Sequence, residues 1–248
     1  MTELRVLAVE GLPEIEEGAP LGALIAARAE LKDGDVVVVS QKVVSKAEGR
    51  VRGLASVSPG AEARRLAAEV GKDPALVELI LAESAAVLRA ERGHLIVETN
   101  QGLVCANAGI DASNLPADGT VCLLPADPDH SARRLRAELA AASGARVGVV
   151  VSDSFGRAWR LGQAEVAIGC AGLRPLDDWR GRADAGGRLL EATMIAIADE
   201  AAGAADLVRD KASRVPAAVV RGLGRHVGDD DGPGAAALRR PPEQDLFR

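Results

Sequence analysis

Apolar runs and polar punctuation divide this chain into short strands and helices. Residues 4 to 9 (LRVLAV) read as a first strand, ended by a turn at Gly11, Leu12 and Pro13. A helix follows from about Leu21 to Leu31. A tight turn at Asp33 and Gly34 then leads into DVVVVSQ, a run that is β-branched and apolar throughout. Without alternation, such a run suits a strand covered on both faces.

Ser58 and Pro59 can start a helix that stops at Gly71, and Asp73 and Pro74 can cap and begin a second one running towards Arg89. In that second helix Leu76, Leu79, Ile80 and Val87 form a core-facing stripe. HLIVETNQGLVCANAGI reads as two strands joined across Asn100, Gln101 and Gly102. TVCLLP adds a strand, and a helix covers about His130 to Ala142. VGVVV is a second buried strand, expected to end at Ser152, Asp153 and Ser154 and to turn at Gly156. AEVAIGCAGL is another strand, an alanine-rich helix covers roughly Leu189 to Val208, and VPAAVVRGL closes the regular structure.

Strands and helices are mixed without regular alternation, and the hairpin implies antiparallel pairing. The expected class is therefore α+β: a mixed sheet with antiparallel hairpins and flanking helices. No internal repeat or Pro- or Ser-rich linker divides the chain, so residues 1–228 are expected to form one domain. Residues 229–248, rich in Gly, Asp, Pro and Arg, are expected to be a flexible tail.

Composition adds bounds. At 248 residues and 48% hydrophobic, the chain can bury a proper core, one built from Ala, Val and Leu since aromatics are only 2%. A net charge of -6 argues against a nucleic-acid surface. Cys105, Cys122 and Cys170 show no C-x-x-C spacing, and an odd number argues against a disulfide framework. The acid-bearing start lacks the basic and apolar stretches of a secretory signal, and no run approaches the about 18 apolar residues of a membrane span. A soluble cytoplasmic protein is expected.

Three polar segments could carry chemistry. In SQKVVSKAEGR, Lys42 and Lys46 lie four apart beside Ser40, Gln41 and Ser45, where two ammonium groups could neutralise phosphates. The same residues also fit a solvated helix start. In CANAGIDASN, Asn107, Asp111, Ser113 and Asn114 offer oxygen ligands that suit Mg²⁺ or Mn²⁺, or else ordinary turn chemistry. In VGVVVSDSFGR, Asp153 beside Ser152 and Ser154 at the end of a buried strand can fix a phosphate-bound metal or merely cap, and Arg157 adds a positive charge. Phe155 and Trp159 fall in the same stretch, placed for stacking, for a subunit contact or as a loop anchor. His94, His130 and His226 show no metal-ligand or triad spacing. Neither G-x-x-x-x-G-K-[ST] nor G-x-G-x-x-G is present, so a nucleotide would be held without the common phosphate loops.

With GLPEI, QKVVSKAEGR, CANAGIDASN, VVSDSFGR and VPAAVVRGL in that order, the sequence resembles the coenzyme F-420:L-glutamate ligase family, the CofE family, also found as the N-terminal half of the mycobacterial FbiB protein. The likeness runs from about Leu4 to Gly224. It implies a GTP-dependent enzyme that joins L-glutamate to the lactyl carboxylate of F-420-0, with further glutamates added through γ-linkages. It also implies Mg²⁺ or Mn²⁺ at two sites, leaves open whether K⁺ assists, and implies a family-specific fold in an intertwined homodimer.

Position by position, the resemblance places Leu12, Pro13, Glu14 and Ile15 in a loop that touches GTP, and Gln41, Lys42 and Lys46 in a nucleotide segment. Asp111 and Asp153 match metal-binding aspartates, Ser154 a metal-contacting hydroxyl, and Asn114 a nucleotide contact. Asp111, Asp153 and Lys46 are the expected catalytic residues. The chain departs from archaeal members at RDKASRVP, where Lys211 stands near the position of an acidic residue, so the second metal's shell is expected to differ. It also ends at Arg248 without a nitroreductase-like domain, as a stand-alone ligase or that half of a longer protein.

Overall fold

The computed structural model describes residues 3–113, 115, 117–210 and 212–246. In chain order the first elements are β1 (Arg5–Ala8), α1 (Leu21–Ala26), β2 (Val36–Ser40), α2 (Gln41–Ala47), β3 (Val51–Gly53), α3 (Ala61–Val70) and α4 (Pro74–Ala82). Next come β4 (Ser84–Glu91), β5 (His94–Thr99), β6 (Val104–Ala106), β7 (Thr120–Cys122), α5 (Pro128–Ser143), β8 (Gly148–Arg157) and β9 (Arg160–Ala171). Last are β10 (Asp177–Asp178), β11 (Met194–Ile195), α6 (Ile197–Asp206) and β12 (Ala217–Arg221). The protein is α+β, as the pattern predicts.

A five-stranded sheet in the order β1-β12-β2-β8-β9 forms its centre. Only β2 and β8 run parallel, with Val36 opposite Gly148 and Ser40 opposite Ser152. The other neighbours are antiparallel. Because successive side chains alternate, the valine runs feed two cores. Val37, Val39, Val149, Val151 and Val219 meet Ile25 of α1 and Leu135 and Leu139 of α5. Val36, Val38, Val150 and Val220 meet Ile197, Ala198, Ala201, Ala202 and Ala205 of α6. Burial on both faces explains why these strands are uninterrupted apolar runs. Each buried valine contributes about 1.5 to 3 kcal/mol.

Small residues set the layer spacing. The alanines of α6 recur at helical period and let its backbone lie close to the sheet. At Gly169 of β9 a Cβ would stand 2.2 Å from the Pro128 carbonyl oxygen, so the first turn of α5 rests directly on the strand. Asp129 then accepts from the Cys170 amide (2.8 Å) and from the Ala235 amide (2.7 Å). Residues 229–239, within the stretch expected as a tail, carry further contacts to α5. Arg136 donates to Asp231 (2.8 Å), and Ala235 is buried.

A second sheet, β4-β5-β6, is antiparallel and packs with α3 and α4 around Leu66, Val77, Ile80, Leu95 and Val97. The predicted hairpin across Asn100–Gly102 is its β5–β6 connection. β3 and β7 pair as a short ladder.

Four expectations require correction. The helix from Leu21 stops at Ala26 rather than Leu31, its C-terminal turn capped at Ala27. The helix from Pro74 ends at Ala82, and residues 84–91 form β4, with Val87 39% exposed. Pairing with β5 overrides the helix preference of SAAVLRAE. The helix expected from Leu189 begins only at Ile197, because Met194 and Ile195 pair with β10. Finally, β8 does not end at Ser152, Asp153 and Ser154 and turn at Gly156. It runs to Arg157 and reverses at Ala158 and Trp159, since β9 supplies a partner along its length.

Candidate functional site

The parallel pair β2–β8 sets the site. Ser40 and Ser152 lie opposite each other, so the residues following each emerge at one end of the sheet. After Ser40 the chain turns into α2, where Val44 enters the core and the buried Ser45 hydroxyl donates to the buried Gln41 side-chain oxygen at 3.0 Å. With that face committed, Lys42 and Lys46 share another one.

The Lys42 ammonium donates to Asp111 Oδ2 (2.6 Å) and to the Ser113 carbonyl and hydroxyl oxygens (both 2.8 Å). All three of its donors are thereby used. Lys46 pairs with Glu14, and its own side chain is buried. The loop that carries Glu14 is held by buried Ile15, by partly buried Leu12 and by the Gly18 amide donating to the Ala47 carbonyl (2.9 Å). Pro13 lies exposed on it.

Asp111 is delivered by a strained turn. After β6, Asn107 and Ala108 both adopt φ 54° and Gly109 φ 69°, a left-handed run that reverses the chain. A non-glycine residue there costs about 1 to 3 kcal/mol and is held only by its surroundings, here the burial of Ala108. Asp111 then bridges Cys122, extending the β3–β7 ladder. Its Oδ1 accepts from the Ser113 amide at 2.7 Å. Burial works to raise its pKa, but the hydrogen bonds from Lys42 and Ser113 and the Lys42 charge outweigh this and hold it below the usual carboxylate range.

The ribbon β8–β9 carries the rest. Asp153 and Ser154, being consecutive, face opposite sides of it. Asp153 shares its side with Phe155, which packs on the first core, and its charge reaches Cys105 of β6. Burial chiefly, with Asp153 adding to it, pushes the Cys105 thiol up to about 12, so this cysteine is an inert neighbour. Ser154 donates to Glu165 Oε1 at 2.5 Å. Glu165 Oε2 accepts from Arg209 Nη2 at 3.2 Å, and the same nitrogen lies 3.2 Å from the Ser152 hydroxyl. Glu165 and Arg209 are both buried. Trp159, at the ribbon's tip, is 83% exposed.

The structure thus joins Lys42 with Asp111, Lys46 with Glu14, and Ser154 with Glu165, and sets Asp153 beside β6. Arg157 donates to the Leu161 carbonyl at the ribbon's outer end. Asn114 and Lys211 lie outside the described residues. Sequence reasoning missed Glu165 and Arg209. For Glu165 the signal was a charge inside the apolar run AEVAIGC, whereas Arg209 lies in the charged stretch DLVRD and carried none.

Aspartates and a serine hydroxyl are hard oxygen donors, the set that suits Mg²⁺ or Mn²⁺ rather than a softer metal. Among the described residues no three His, Cys, Asp or Glu side chains converge. A cation held by one or two carboxylates, with water and phosphate oxygens completing its shell, is the ordinary Mg²⁺ arrangement, and the donors present fit it. Lysines beside such a cation can offset phosphate charge.

Fold and site together define an α+β protein whose strand-end carboxylates, hydroxyl and ammonium groups suit phosphate chemistry. Comparison with known proteins makes this specific. The family model described as F420-0:Gamma-glutamyl ligase matches residues 11–222. The chain belongs to that family. It is 43% identical over 252 residues to a coenzyme F420:L-glutamate ligase of Methanothermobacter thermautotrophicus, covering 99% of both chains. A protein of the same name from Methanopyrus kandleri is 43% identical over all of both chains. Another, from Archaeoglobus fulgidus, is 45% identical over 89% of this chain and 88% of its own.

Proposed function

We propose that this protein is a GTP-dependent ligase that adds L-glutamate to coenzyme F-420-0, and further glutamates through γ-linkages, in the cytoplasm. One observation carries the reading beyond the names of its relatives. Lys42 and Asp111, drawn from segments 69 residues apart, meet at 2.6 Å at the end of the sheet from which Asp153 and Ser154 also emerge.

In this reading Asp111, Asp153 and Ser154 would hold Mg²⁺ or Mn²⁺ at two sites, and K⁺ is a further candidate cofactor. A bound divalent cation supplies positive charge to the phosphate oxygens of GTP. Lys42 and Lys46 offset the remaining charge, while Leu12, Pro13, Glu14, Ile15, Gln41 and Asn114 shape the nucleotide side. Lys42 and Lys46 exchange their present partners, Asp111 and Glu14, for phosphate oxygens.

The bond between the β,γ-bridging oxygen and the γ-phosphorus breaks, and an F-420-0 carboxylate oxygen bonds to that phosphorus, giving GDP and an acyl phosphate. The glutamate amine then bonds to the acyl carbon, phosphate leaves, and the amine proton passes to solvent. The exposed side chains of Trp159, Leu161, Leu189 and Met194 support a homodimer in which a second copy covers them.

Incubation with F-420-0, L-glutamate, GTP and Mn²⁺, read by mass spectrometry, tests the function. A product heavier by one glutamate residue, with GDP released, is expected. GTP turnover with a different acid would point instead to a ligase or phosphotransferase of another substrate. Ligand binding without GDP release would mark a carrier.

A further inference from the structure

We infer that Glu165, locked by Arg209, is a positioning residue that fixes the Ser154 hydroxyl as an oxygen donor towards the cation. The inference rests on the ligase reading above and deepens it. Glu165 is paired in register with Ser154 on the neighbouring strand, so both side chains leave the same face of the ribbon. Its Oε1 takes the Ser154 proton at 2.5 Å, in the range of a charge-assisted bond. A hydroxyl has one proton, and once that proton is given to Glu165 the oxygen can only accept or coordinate.

Arg209 decides that the bond runs in this direction. Its guanidinium lies against Glu165 Oε2 and the Ser152 hydroxyl (both 3.2 Å) and reaches the Pro216 carbonyl (3.4 Å). The pair is 6% and 7% exposed, so little solvent competes with it. A buried pair of this kind is weak evidence for stability, because desolvation offsets the attraction. What it does provide is orientation. It ties β8, β9 and the segment after α6 to one point beside the site.

Substitution by glutamine makes the inference sharp. In Glu165→Gln, Arg209 still requires an acceptor, so the amide oxygen turns to it and the NH₂ group faces Ser154. The Ser154 oxygen then accepts that hydrogen bond, and its own proton turns outward against the cation. A change in this outer layer costs about 10-fold or more in metal affinity.

The test is a Mn²⁺ titration in the presence of GDP, followed by the EPR signal of free Mn²⁺, on four proteins: wild type, Glu165→Gln, Ser154→Ala and the double variant. Thermal melts run in parallel. The expected result is a loss of about 10-fold when glutamine is introduced into the wild-type chain, and of less than about 2-fold when it is introduced into the Ser154→Ala chain. The fall in melting temperature should be alike in both backgrounds. An equal loss of Mn²⁺ affinity in both, or none beside Ser154, overturns the positioning role and leaves the ligase reading intact. Wild-type protein that leaves the Mn²⁺ signal undiminished overturns the cation reading and this inference with it. Should Glu165→Gln not fold, Glu165→Met combined with Arg209→Met removes both charges together, and the same comparison with and without Ser154→Ala decides.

Discussion

β2 and β8 begin alike and end differently. They lie side by side and parallel, and through Val39 and Val151 both are fully buried. After Ser40 the first chain winds into α2, whereas after Ser152 the second stays extended for five more residues as a ribbon with β9. In QKVVSKA, one helical face carries Gln41, Val44 and Ser45 inward and leaves the lysines together. SDSFGR has no such face, and β9 supplies a hydrogen-bonding partner for its backbone. The lesson is that the apolar run specifies the strand, while a neighbour or its absence specifies whether the next residues coil or stay extended. The lysines of the site come from the helical continuation, and Asp153 and Ser154 from the extended one.

If the outer ribbon serves chemistry and the inner strand serves stability, substitutions a few residues apart should separate the two. The largest effect is expected for Asp153→Asn, which removes a cation-binding charge at almost constant volume. GTP turnover should fall by about 100-fold or more, with a melting temperature close to that of wild type. Turnover like that of wild type would remove Asp153 from the site. Val150→Ala, three residues earlier and fully buried, should do the reverse. Chemical denaturation should show a loss of about 2 to 3 kcal/mol, while turnover per folded molecule is retained.

The smallest effect concerns pH. The pKa of Asp111 is lowered, so its pairing with Lys42 contributes stability that is present above the ordinary carboxylate range and lost as pH falls through the lowered folded value. Asp111 is 42% exposed at its side chain, which screens the contribution. Melting curves of wild type and Asp111→Asn should therefore differ slightly at neutral pH and converge in acid. A gap that persists or widens in acid would show that Lys42 does not account for the shift.

Much of this arrangement was legible in advance. The valine runs, the Gly71 stop, the Asp73–Pro74 start, the hairpin at Asn100–Gly102 and the α+β class all follow from local rules, because each depends on residues a few positions apart. Lys42, Asp111, Asp153 and Ser154 were identifiable as polar residues beside strands, and their order along the chain carried the family. Apart from the early stop of α1 at Ala26, the failures share one cause. SAAVLRAE and the residues before Ile197 have helix-compatible composition, and the pairing that makes them extended comes from β5 and β10.

The chain's own pattern therefore determined the apolar strands β2, β8 and β12, their burial on both faces, and which side chains could do chemistry. Tertiary structure alone decided that β8 continues past Ser154, that Lys42 spends its donors on Asp111 and Ser113, and that Ser154 meets Glu165, which Arg209 holds. The physical reason is that side-chain alternation and helix capping act over a few residues. Strand pairing and ion pairs join residues as distant as Lys42 and Asp111, and their partners are known only once the sheet has closed.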